Sequence, residues 1–125
     1  MRLLLDTHIF LWVVLGSSAL KSPARRIIEA ADEVYVSAVS IWEITIKAGL
    51  GKIEADTDLL VAELPRAGFR ELPMSVQHAA GVASLPPHHN DPFDRLLIAQ
   101  AIVEPLRFLT TDKTLARYSE MVKVV

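Results

Sequence analysis

The chain has 125 residues, 51% of them hydrophobic and 22% charged, a net charge of -2 and no cysteine. This is enough chain for one globular domain with its own core, and it excludes disulfides, thiolate metal sites and cysteine nucleophiles, as suits a reducing cytoplasm. The longest apolar run, Ile9 to Leu15, is too short for a membrane span of about 20 residues, no signal peptide is read at the N-terminus, and there is no basic excess of the kind that drives broad nucleic-acid binding.

In chain order, Arg2 to Leu5 reads as a short buried strand and Thr7 to Leu15 as a helix that is apolar on every face, broken by Gly16-Ser17-Ser18. Ser22-Pro23 predicts a helix start, with serine as cap and proline in the first turn, running to about Ala31. Glu33 to Ser37 is a second strand. A helix follows from Ala38 to about Ala48 and stops at Gly49 or Gly51. Asp58 to Leu64 is a further helical piece, ended or kinked near Pro65. Phe69 to Leu72 is a short third strand, and Ser75 starts a helix to about Ser84. Leu85 to Asn90 is a stiff polar loop and Pro92 to Val103 a strongly apolar helix. Arg107 to Thr110 is a fourth strand, Lys113 to Tyr118 a helical turn, and Val122 to Val125 a last strand.

Strands alternating with helices predict an α/β domain with a largely parallel sheet. In such sheets ligands bind beyond the carboxyl ends of the strands, where strand order reverses. Asp6 and Asp112 follow strands directly, while Glu43 and Asp94 interrupt apolar helix faces. A buried carboxylate is costly unless it is paired or binds a cation. Four such acids therefore point to a hard divalent cation and to hydrolytic chemistry. Setting them aside leaves 11 acids against 13 bases, so the remaining surface leans basic.

Each acid also has a simpler reading. Asp6 and Asp112 are placed to cap the helices that follow them. Asp94 suits the positive end of a helix dipole. Glu43 is one turn from Lys47 and able to pair with it, for about 0.5 kcal/mol if exposed.

Four segments carry a family resemblance: Leu4-Leu5-Asp6-Thr7-His8, Ser37-Ala38-Val39-Ser40-Ile41-Trp42-Glu43-Ile44, Asp91-Pro92-Phe93-Asp94-Arg95 running into Leu96 to Ala101, and Leu109-Thr110-Thr111-Asp112. In this order and spacing, over nearly the whole chain, they resemble a PIN domain, and specifically the toxin ribonuclease of a VapBC-type toxin–antitoxin pair. The resemblance implies one domain over residues 1–125, a three-layer α/β/α fold, and a five-stranded parallel sheet in the order 3-2-1-4-5. It also implies a Mg²⁺- or Mn²⁺-dependent endoribonuclease, a homodimer, held inactive by a cognate antitoxin.

Matched motif by motif, the four catalytic acids are Asp6, Glu43, Asp94 and Asp112. Asp6 and Asp94 are read as direct metal ligands. Asp112 is read as a further ligand or, like Glu43, as a holder of metal-bound water. Asp91 is an extra acid that one branch of the family carries.

Around the acids, Thr7, Ser40 and Thr111 are candidates to hydrogen-bond a site carboxylate, or else satisfy local backbone. Lys47 and Arg95 are candidates for substrate phosphates, or else pair with the acids. His88 and His89 are adjacent in a loop, a spacing that suits neither a helical nor a sheet zinc pair; they read as RNA contacts or solvated loop residues. His8 reads as a support residue and His78 as surface. Ile9 to Leu15 offers no solvent face, so part of it is expected to meet a second copy or an antitoxin segment, the alternative being full burial within one chain.

Two further classes compete. A PIN-like domain acting only as an RNA- or protein-binding module is disfavoured by the intact acid set. An aspartyl-phosphate enzyme lacks the acid expected two residues after Asp6, and no Walker-type glycine loop is present.

Overall fold

The computed structural model describes residues 1–125. Its strands are β1 (Arg2–Leu5), β2 (Glu33–Ser37), β3 (Arg70–Leu72), β4 (Arg107–Thr110) and β5 (Val122–Val124). All pair in parallel, in the order β3-β2-β1-β4-β5. The sheet and its order are as the sequence and the resemblance predict.

Side chains alternate across the central strands, so each strand feeds two cores. Leu3, Leu5, Val34, Val36 and Leu109 pack on one face. The helices α1 (Thr7–Leu15), α2 (Ser22–Ala30) and α4 (Thr57–Arg66) cover that face through Ile9, Phe10, Ala24, Leu60 and Leu64. Leu4, Leu72 and Phe108 pack on the other, under α6 (Pro92–Val103) through Leu97, Ile98 and Ala101. Between the layers, α3 (Ala38–Gly49) contributes Ile44 to the first core and Val39 to the second. The short α5 (Val76–Gly81) lies against α6. No helix is long and apolar enough to cross a membrane.

This topology builds the site. From β1 the chain moves to β2 and β3 on one side, then crosses to β4 and β5 on the other. Strand order therefore reverses between β1 and β4, where the connections leave in opposite directions and open a crevice. The Asp6 N–H donates to the Leu109 carbonyl at 2.9 Å, so the ends of these two strands are tied together.

Several local expectations are corrected. Lys21, not Ser22, is the cap of α2, and no side chain fills that role; the Arg25 N–H donates to the Lys21 carbonyl, which puts Ser22 and Pro23 inside the first turn. The end of α4 at Arg66, with Pro65 in its last turn, is as expected, whereas its start lies at Thr57, one residue before Asp58. The helix from Ser75 divides into α5 and a 3₁₀ turn over Val82–Ser84. The run from Ile9 to Leu15 does have an outward side: Ile9, Phe10 and Leu11 are buried, Trp12 to Val14 are half-buried, and Leu15 is 63% exposed. Gly16 ends that helix in the left-handed region, φ 61°, and its N–H closes on the last turn.

His78 is likewise not on the surface; only 2% of it is exposed. Its Nδ1 accepts from the Ser75 N–H at 2.9 Å, the Ser75 hydroxyl caps α5, and Nε2 meets Glu104.

Candidate active site

At the end of β1, Asp6 is 6% exposed. Its Oδ2 accepts from the Thr110 hydroxyl at 2.5 Å and its Oδ1 from the His8 N–H at 3.3 Å. Burial pushes its pKa up, against the lowering effect of those two bonds. Asp6 thus caps α1 while its carboxylate stays in the crevice.

Glu43 lies on α3 and is 2% exposed. Its Oε1 accepts from the Thr7 hydroxyl at 2.7 Å, and its Oε2 pairs with the Lys47 ammonium. Thr7 Oγ1 is also 2.9 Å from Ser40 Oγ. Burial pulls the Lys47 pKa down. The hydrogen bond to Glu43 and the fields of Glu43, Asp91 and Asp94 outweigh it and hold the ammonium above its usual range. Lys47 is committed to the acids and not free for a distant phosphate.

Asp94 sits in the first turn of α6, whose cap is Asp91. Asp91 Oδ1 accepts from the Phe93 and Asp94 N–H groups at 2.8 and 3.2 Å. The Asp94 side chain is only 17% exposed. Burial, followed by the charges of Asp6, Asp91, Glu43 and Asp112, pushes its pKa up to about 8, and no hydrogen bond offsets them. All four of these acids bear on the Asp94 carboxyl, which gathers the predicted acids around one crevice.

Asp112 follows β4 and caps the helical turn Lys113–Arg117. Its Oδ1 accepts from the Thr114 N–H and hydroxyl, at 3.0 and 2.7 Å. The Thr114 hydroxyl leads the contacts that hold the Asp112 pKa below its usual value. The simpler roles read from sequence for Asp6, Glu43 and Asp112, two caps and an ion pair, are all present alongside the clustering.

Two residues near the acids are placed differently from expectation. The Thr111 side chain is exposed and borders a small cavity with Trp12 and Pro23. Thr110 joins the acids instead: its hydroxyl donates to Asp6 and accepts from the Asp112 N–H at 3.1 Å. Strand alternation carries the signal, since Thr110 shares a face with Phe108 and Thr111 lies beyond the strand. Arg95 is turned away into the loop before α6, donating to the carbonyls of Pro86, Val82 and Leu85.

Sequence reasoning also gave His89 no place among the acids. Its Nε2 lies 3.4 Å from Asp94 Oδ2 and 3.6 Å from Asp112 Oδ2. One ligand-type atom from each of these three residues falls within 4.8 Å of the others.

The chemistry of the donor set fits a hard divalent cation, which prefers carboxylate oxygens. Asp94 is the strongest indication, a mostly buried carboxyl surrounded by like charge with no hydrogen bond to relieve it. Thr110 fixes Asp6 for the same purpose. Thr110→Val is expected to cost about 1–2 kcal/mol of stability, since it strips a bond from a buried carboxylate, and to weaken Mn²⁺ binding; urea unfolding and calorimetry measure the two effects separately.

A family model for the PIN domain matches residues 3–121. The chain belongs to the PIN domain family. This PIN domain is 32% identical over 115 residues to Ribonuclease VapC22 of Mycobacterium tuberculosis (strain ATCC 25618 / H37Rv), an alignment that covers 90% of this chain and 88% of that protein. Its fold is similar to VapBC2 from Rickettsia felis bound to a DNA fragment from the promoter, with a TM-score of 0.70 at 14% identity, over 100% of this chain and 98% of that one. It is also similar to FitAcB from Neisseria gonorrhoeae, with a TM-score of 0.64 at 20% identity, over 90% and 89% of the two chains.

Proposed function

We propose that this PIN domain is a Mg²⁺- or Mn²⁺-dependent endoribonuclease and the toxin half of a toxin–antitoxin pair, acting in the cytoplasm. The observation that carries the reading is the Asp94 carboxyl, mostly buried, without a hydrogen-bond donor and gathered with Asp112 and His89 in a crevice of acids whose charges push its pKa up. A site tuned this way without a hydrogen-bond donor is poised for a cation. The likeness to Ribonuclease VapC22 across 90% of the chain supports RNA as the substrate.

Asp6, Asp94 and Asp112 would hold the ion. When bound, the ion supplies a more acidic water and stabilises charge building on the phosphate. Glu43, fixed by Thr7 and Lys47, orients the attacking water and accepts its proton. Thr110 keeps Asp6 in register with β4. Attack in line with the departing 3′-oxygen leaves a 5′-phosphate and a 3′-hydroxyl.

The likeness in fold to VapBC2 and to a toxin–antitoxin complex from Klebsiella pneumoniae supports a cognate antitoxin as partner. A second copy of the chain is the other proposed partner. Leu15 and Leu59, 63% and 64% exposed, border one cleft between α1 and α4 and offer apolar area for either contact.

Purified, antitoxin-free protein is expected to cut total cellular RNA into discrete fragments in Mn²⁺ or Mg²⁺. Excess EDTA is expected to stop the cleavage, and renewed metal to restore it. Cleavage that persists in EDTA, or folded protein with no cleavage under any metal, would remove this reading.

A further inference from the structure

Besides the exposed His8, which lies two residues after Asp6, three nitrogen-bearing side chains flank the acids, and two of them are already engaged. Lys47 closes on Glu43. Arg95 spends its guanidinium on three loop carbonyls and on the Tyr118 hydroxyl, and lies over the Tyr118 ring at 5.9 Å. The third is His89.

The loop carrying His89 is held from several sides. Arg95 grips the carbonyls of Leu85 and Pro86. The Tyr118 hydroxyl donates to the His89 carbonyl at 3.4 Å, and the His88 ring meets Tyr118 edge-on at 5.2 Å. The position of His89 is therefore built into the fold.

Its ring protonation follows from one contact. The Asp91 N–H donates to His89 Nδ1 at 3.1 Å. A nitrogen that accepts carries no proton, so the single ring proton is on Nε2. That nitrogen lies 3.4 Å from Asp94 Oδ2 and 3.6 Å from Asp112 Oδ2, beyond the usual range of about 2.7–3.2 Å for N–H···O bonds. It is a donor aimed at the crevice and fully bonded to nothing, on a side chain 27% exposed.

The same contact argues against His89 as a metal ligand. Imidazole binds a metal through its bare nitrogen. Here the bare nitrogen is Nδ1, and it faces backbone. Proximity to Asp94 and Asp112 suggests a three-ligand site, whereas the tautomer makes His89 a donor beside a two-acid one.

We propose that His89 Nε2–H is a substrate-binding donor, hydrogen-bonding a phosphate oxygen of the RNA backbone beside Asp94 and Asp112. This rests on the ribonuclease reading above. An RNA phosphate entering an acidic crevice gains both affinity and orientation from a fixed donor there.

His89→Phe keeps a ring without the donor, and His89→Gln returns an amide N–H near the Nε2 position. Cleavage of a fluorescent RNA, RNA binding by anisotropy, Mn²⁺ affinity by calorimetry and the melting temperature are measured for both variants and the unaltered protein. His89→Phe is expected to lose about 10- to 100-fold in kcat/KM and in RNA affinity, the worth of one hydrogen bond to a charged group. His89→Gln is expected to recover most of that loss, with Mn²⁺ affinity unchanged in both. Wild-type RNA affinity and cleavage in His89→Phe would overturn the proposal. So would a glutamine variant as impaired as the phenylalanine one, or a parallel fall in Mn²⁺ affinity, which would make His89 a ligand. If the unaltered protein binds RNA without cutting it, the ribonuclease reading fails, and the anisotropy comparison still decides the donor role.

Discussion

Asp94→Asn is expected to cut RNA cleavage by about 10³-fold or more and, at the same time, to raise the melting temperature of the metal-free protein. The first effect follows from the proposed role of Asp94 in holding the ion, whose loss would remove several kcal/mol of charge stabilisation at roughly tenfold in rate per 1.4 kcal/mol. The second follows from linkage. In the folded chain the Asp94 pKa lies at about 8, against 3.8 for an unperturbed aspartate. Between these values the folded state holds a proton that the unfolded state has released. Stability is therefore fully present below about pH 4 and is lost as pH rises toward 8.

The full shift corresponds to about 6 kcal/mol, and sharing of charge among the acids reduces this to the order of 2–4 kcal/mol. Asparagine carries no such penalty. Melting curves in EDTA should thus fall between pH 5 and pH 8.5 for the unaltered protein and stay flatter for Asp94→Asn. Adding Mn²⁺ should raise the melting temperature of the first far more than that of the second. A variant that is inactive but no more stable at pH 8.5 would mean that Asp94 is not held neutral by its surroundings.

Phe108→Ala is expected to have the largest effect on stability, about 3–5 kcal/mol. Phe108 is fully buried at the middle of β4, packed with Leu4, Leu97, Ile98 and Leu115. Loss of the ring leaves a cavity between sheet and α6 that stiff neighbours do not fill. Domains of this size have roughly 5–15 kcal/mol in total, so the variant should unfold at markedly lower urea concentration. The damage reaches function as well, because Phe108 supports both the strand that leads to Thr110 and the helix that begins at Asp94. A midpoint shift worth less than about 1 kcal/mol would show that the core relaxes to fill the space.

The strands, the helices and the four acids were legible because each has a short-range signature, while the strand order came from the family resemblance and not from any local pattern. Apolar runs that end in Asp6 and just before Asp112 mark strands leading to the crevice, and apolar helix faces broken by Glu43 and Asp94 stand out on their own. What the sequence did not show depends on partners far along the chain. His78 reads as surface until Glu104 and α6 are brought against it. Arg95 reads as free for phosphate until the carbonyls of Val82, Leu85 and Pro86 close around it. Nothing near His89 in sequence reveals that Asp112 faces it, or that the Asp91 N–H sets its tautomer. Thr110 closes β4 at the residue the sequence predicts and shares a face with Phe108, so the alternation pointed to it, but the contact that decides the choice is with Asp6, 104 residues away.

The hydroxyl that seats Asp6 comes from Thr110, 104 residues later. A chain emerging from the ribosome thus presents Asp6 and then Glu43 long before it can close the crevice. The central strand β1 must wait unpaired on one side until β4 arrives, and such long-range parallel pairing is slow to form. A partly made chain carries the first acids without the crevice they share, so the four-acid site is complete only once β4 and Asp112 have been synthesised and docked.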